Sequence, residues 1–109
     1  MKRVRFLGDS LEVIRAFPAS ARREVGFQIE RVQRSLEPDD WKPMKTVGQG
    51  VREIRVRDRA GAFRVIYVAA FGDVIFVLHA FQKKARATPR RELELAAARF
   101  KILAQRSRQ

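Results

Sequence analysis

Four side chains in the second half of the sequence, Arg55, Arg64, His79 and Lys83, are of the types needed to work on a phosphodiester. Guanidinium groups match phosphate oxygens in geometry and charge. Fixed cations aimed at charge developing in a transition state commonly supply the largest catalytic contribution. Arg55 and Arg64 suit that role, and both are too basic to shuttle protons. Proton transfer calls for another group. His79 is the single histidine, and a free imidazole titrates near pH ~6.5. Lys83 or Lys84 can share the task, and Glu53 is a further candidate base. Arg57, Phe81, Lys84 and Arg86 complete the set as substrate contacts, the cations for phosphates and Phe81 for stacking on a nucleobase. Such a set can cleave RNA without a metal, because the RNA's own 2′-hydroxyl attacks the neighbouring phosphate.

These residues form a site only if strands carry them to one face. Segments 51–57, 63–70 and 74–81 are rich in β-branched and aromatic residues. They are separated by Asp58-Arg59-Ala60-Gly61 and by Gly72-Asp73, and read as an antiparallel meander. A first turn centred between Arg59 and Ala60 sets Arg55 opposite Arg64 and Ile54 opposite Val65. A two-residue turn at Gly72-Asp73 sets Arg64 with Phe81, Ile66 with His79 and Tyr67 with Leu78. One face then carries Glu53, Arg55, Arg57, Arg64, His79, Phe81 and Lys83. The other carries Ile54, Val56, Phe63, Val65, Tyr67, Phe76 and Leu78 as core, which makes Tyr67 structural. Arginines directly opposed on one face cost up to ~1 kcal/mol, a cost that makes sense where an anion normally sits between them.

The remaining elements supply the scaffold. Residues 2–7 alternate charged and apolar and read as a short strand closed by Gly8, after which Asp9 or Ser10 caps a first helix. That helix presents Leu11, Ile14 and Phe17 and ends before Pro18. A second helix over 20–36 has the stripe Val25, Ile29, Val32 and Leu36, and the two helices form an antiparallel pair covering the sheet. The stretch from Trp41 to Gly50 has no period and reads as a loop that Trp41 anchors on the core. Thr88 caps and Pro89 opens a terminal helix with the stripe Leu93, Ala96, Phe100 and Leu103. The expected fold class is α+β, a single domain over residues 1–109.

Composition narrows the function. The 109 residues hold 24 Lys and Arg against 12 Asp and Glu, a net charge of +12. The excess rises along the chain, from +1 over residues 1–40 to +4 over 41–81 and +7 over 82–109. A gradient of this sign suits a partner built on a phosphate backbone. Cysteine is absent, which excludes disulfide frameworks and, with one histidine, zinc sites built from Cys and His. No cofactor is implied. No apolar run approaches the ~20 residues of a membrane span, so the expectation is a soluble, cytoplasmic protein with no membrane partner.

The second half carries a resemblance. Gly50-Val51-Arg52-Glu53-Ile54-Arg55, Phe63-Arg64-Val65-Ile66-Tyr67, His79-Ala80-Phe81-Gln82-Lys83-Lys84 and Thr88-Pro89 stand in an order that resembles the RelE/ParE toxin superfamily, and within it the phage-derived, HigB-like branch. The resemblance covers residues 41–100 most closely. It implies a type II toxin–antitoxin toxin that cleaves translated mRNA in the ribosomal A site. It also implies a hetero-oligomer with an antitoxin that carries a helix-turn-helix domain. Basic strand positions of the branch correspond to Arg55, Arg64 and Lys83. Other branches carry a tyrosine or histidine near the C-terminus, and the basic tail over 104–109 has neither, which leaves proton transfer to His79 or the lysines. The competing expectations are gyrase inhibition in the manner of ParE, and a basic accessory protein that coats nucleic acid without chemistry.

Overall fold

The computed structural model describes residues 1–107, so Arg108 of the basic tail lies outside the described residues. Two short turns build its centre. β3 (Val51–Asp58) and β4 (Gly61–Phe71) pair antiparallel around Arg59-Ala60, where Asp58 Oδ1 accepts from the Ala60 amide at 2.8 Å. β5 (Val74–Lys83) returns along β4 after Gly72-Asp73, with Gly72 at φ 68°. The first turn holds Arg55 opposite Arg64 and the second holds Phe71 opposite Val74, both as expected; Arg64 stands opposite Phe81 at the far end of β4 and β5, beyond two register shifts that cancel.

Two further strands complete the sheet, in the order β1-β5-β4-β3-β2. β1 (Arg3–Phe6) lies parallel to β5 on one edge. On the other edge, residues 41–43 are not a loop: β2 (Trp41–Pro43) pairs antiparallel with β3, Trp41 opposite Ile54. A proline is tolerated there because an edge strand leaves alternate amides unpaired. Trp41 is only half-buried, and the Arg52 guanidinium lies 4.0 Å over its ring, so it anchors an edge strand through a cation–π contact.

One face of the sheet is covered by α1 (Ser10–Arg15) and α2 (Ala19–Gln33). Ile14, Phe17, Val25, Ile29 and Val32 pack there on Ile54, Val56, Phe63, Val65 and Tyr67. Neither expected cap of α1 forms, since Asp9 turns to Arg99 and buried Ser10 donates to the Val77 carbonyl. α2 stops three residues early. Ser35 takes a left-handed φ of 63°, its amide donates to Val32 and the Leu36 amide to Arg31, a Schellman closure that leaves Leu36 exposed.

The opposite face is partly covered by α3 (Arg90–Ser107), whose Leu93, Ala96, Phe100 and Leu103 pack on Ile66, Val68 and Leu78. Here the expected register fails. Ile66 pairs with His79 but Tyr67 pairs with Val77, so Leu78 is an extra residue in a β-bulge. The bulge re-phases the rest of β5, turning Phe76 and Leu78 toward α3 and leaving Ile75 and Val77 to face α1 and α2. No helix among the described residues is long and apolar enough to cross a membrane.

Candidate active site

Strand pairing arranges the α3 face in three rows. Glu53, Ile66 and His79 form the first, Arg55, Arg64 and Phe81 the second, and Arg57, Ala62 and Lys83 the third. The expected cluster therefore shares one face, but α3 divides it into a covered and an open end.

At the covered end the charges are tied to one another. His79 is 3% exposed, its Nε2 lies 2.7 Å from Glu92 Oε1 and its Nδ1 3.2 Å from Arg99 Nη1. Arginine has only donors, so Nδ1 is the acceptor and Nε2–H donates to Glu92. Arg99 also donates to the Leu78 carbonyl at 2.9 Å and to Asp9 at 3.0 Å. That hydrogen bond, ahead of the Coulomb attraction of the guanidinium, holds the Asp9 carboxyl below its usual range. The network binds α3 to β5 and to the start of α1. Glycine makes room for side chains of α3 twice. A Cβ on Gly8, at φ 54°, falls 2.3 Å from the Arg99 guanidinium carbon, and one on Gly48 falls 2.4 Å from ring carbons of Phe100.

Phe81 is 5% exposed and stacks on His79 with centroids 5.6 Å apart. It belongs to the α3-side core, so the surface expected for a nucleobase is taken up by protein in this conformation. Burial explains the difference, because the sequence reading left this face open and α3 lies on it.

At the open end lies a cleft of about 290 Å³ lined by Asp40, Arg55, Val56, Arg57 and Arg64. Arg55 is half-buried and Arg57 exposed, whereas Arg64 is 5% exposed and faces the cleft from its floor. Glu53 Oε1 sits 3.7 Å from Arg64 Nε, and Arg64 also donates to the Phe63 carbonyl. Burial pulls the Arg64 pKa down from its ordinary value, Glu53 partly restores the charged form and Arg55 works against it. Glu53 is itself buried, and its Oε2 has no hydrogen-bond partner among the described residues. Tyr67 lies on the opposite face, as expected, where burial raises its pKa.

Lys83 shares the third row with Arg57 and is half-buried, while Lys84 and Arg86 are exposed on the connection to α3. The sequence reading brought Arg55, Arg57, Arg64 and Lys83 to one face correctly. It missed Asp40, Glu92 and Arg99. Glu92 and Glu94 are the two acids of the last 28 residues, a signal for an internal ion pair.

The family described as phage derived protein Gp49-like (DUF891) matches over residues 12–101. The chain belongs to this family. No curated protein matches the Gp49-like chain. Among solved structures, a chain of the intact E. coli RelBE toxin–antitoxin complex aligns with a TM-score of 0.60 at 15% identity, covering 78% of this chain and 100% of that one. The isolated E. coli RelE toxin aligns with the same score and identity over 79% and 89%. The Gp49-like chain thus has the α+β fold of RelE, as expected, and belongs to a phage-derived family.

Proposed function

We propose that the chain is the toxin of a type II toxin–antitoxin pair and acts as a metal-independent, ribosome-dependent mRNA endonuclease of the HigB-like kind. The carrying observation is the cleft where Arg55 and Arg64 stand directly opposed beside Arg57. Like charges held together on a folded surface are tolerated where an anion neutralises them, and a phosphodiester fits both charge and shape. Arg55 and Arg64 bear the charge that grows on phosphorus oxygens in the transition state. Arg57, Lys84 and Arg86 hold flanking phosphates, and Lys83 protonates the leaving oxygen. His79, buried and bonded at both nitrogens, orients the covered end. Phe81 stacks beneath it.

The fold shared with a RelBE complex chain supports an antitoxin partner, with a helix-turn-helix protein as the expected form, mRNA on the ribosome as substrate and the cytoplasm as the place of action. The test is primer extension on mRNA in a defined translation reaction, with and without ribosomes. Wild type, Arg64→Ala and Arg55→Ala are compared, and gyrase supercoiling is assayed in parallel. Ribosome-dependent cuts that disappear in folded Arg55→Ala protein support the reading. Intact mRNA with inhibited gyrase, or salt-sensitive RNA binding without products, overturns it.

A further inference from the structure

We infer that Asp40 takes the proton from the attacking 2′-hydroxyl, an assignment that rests on the RNA-cleaving reading above. Such an acceptor must be open to substrate and not already engaged with protein. Glu53 is sealed beneath Arg64, Glu92 is bonded to His79, and His79 is buried with both ring nitrogens occupied. Asp39, the neighbour in sequence, turns to α2, where Gln28 donates to it at 2.8 Å and Arg31 lies at 3.5 Å.

Asp40 meets both conditions. Its carbonyl accepts from the Arg55 amide at 2.9 Å, which extends the β2–β3 pairing by one residue and fixes its backbone beside the cleft. Its side chain is exposed and lines the cleft with Arg55, Arg57 and Arg64. Among the described residues it forms no ion pair, although it lies near enough to Arg64 to favour the charged guanidinium. Three cations beside one free carboxylate seat a phosphate and offer an acceptor to the adjoining ribose hydroxyl.

In the reaction the 2′-O–H bond breaks and its proton passes to an Asp40 Oδ. The freed oxygen pair forms the bond to phosphorus. The P–O5′ bond breaks with its electron pair on the 5′-oxygen, which takes a proton from Lys83, and that amine is reprotonated by water. The products are a 2′,3′-cyclic phosphate and a 5′-hydroxyl, and Asp40 returns its proton to solvent.

The experiment pairs single-turnover cleavage of a short defined mRNA on 70S ribosomes with binding to ribosomes programmed with the 2′-O-methylated copy of that mRNA. Asp40→Asn is expected to slow cleavage ~100-fold or more, while binding stays equal or tightens because a negative charge has left a phosphate site. Asp40→Glu recovers part of the rate. Asp40→Asn cleaving at the wild-type rate overturns the assignment. So does parallel loss of binding and cleavage, which would make Asp40 a prop for the arginines. Wild-type protein that leaves RNA intact with and without ribosomes overturns both the assignment and the reading beneath it.

Discussion

The two ends of the α3 face of the sheet carry similar side chains and use them differently. At the covered end, His79, Glu92, Arg99 and Asp9 are linked by hydrogen bonds that hold a helix in place. At the open end, Arg55, Arg57 and Asp40 line a cleft without ion pairs among the described residues. The difference teaches that residue type alone does not mark a catalytic group. A histidine suited to proton transfer is hydrogen-bonded at both ring nitrogens, and an aspartate in an ordinary Asp-Asp pair forms no ion pair among the described residues.

Arg64 touches both ends, so its loss has the largest expected effect. Arg64→Ala leaves Glu53 buried without its cation and is expected to cost ~3–5 kcal/mol, read by urea denaturation, with Glu53→Gln in the same chain recovering part. Arg55→Ala sharpens the contrast: stability within ~0.5 kcal/mol of wild type, but cleavage lower by ~100-fold or more. A large stability loss for Arg55→Ala would erase the distinction between the ends. His79→Ala removes two buried bonds and is expected to cost ~1–3 kcal/mol while folded protein still cleaves. Complete loss of cleavage in a stably folded His79 variant would restore a catalytic role to the covered end.

Gly48→Ala pushes a methyl into the seat of Phe100, for an expected ~1–3 kcal/mol, seen as faster amide exchange in α3 with β3 and β4 unchanged. The smallest effect belongs to Asp9. Because its folded pKa lies below its unfolded value, the Arg99 contact contributes above pH ~4 and is lost as pH falls through the lowered pKa. Solvent screening limits it to about a few tenths of a kcal/mol. Asp9→Asn should therefore flatten only the acid limb of the stability curve.

The sequence reading succeeded where turn chemistry is local. Asp58 through Gly61 closes the β3–β4 turn locally, with the Ala60 amide donating to Asp58, and the opposed arginines follow from that register. It failed where distant packing decides. Nothing around Leu78 marks a bulge, since no glycine or proline interrupts the apolar run, and the extra residue is fixed by the packing on both faces. The stripe of α3 was readable from its helical period, but not the face it would cover, because its seats are Gly8 and Gly48 far back in the chain. β2 was hidden by its three-residue length and by Pro43. Asp40 was hidden with it, since it reaches the cleft only through that pairing.

The bulge at Leu78 also bears on how this chain tolerates insertions and deletions. A substitution there changes the volume of one side chain. Loss of the residue would draw Val77 into phase with the strand beyond it and rotate the stretch from Val74 to Val77 by half a turn, exchanging Ile75 and Val77 for Val74 and Phe76 on the helical core. β1 is hydrogen-bonded along that same stretch and would lose its partner register as well. A one-codon deletion at this position therefore trades the occupants of both cores at once, and gene variants of this chain should vary in residue type at position 78 far more readily than in length.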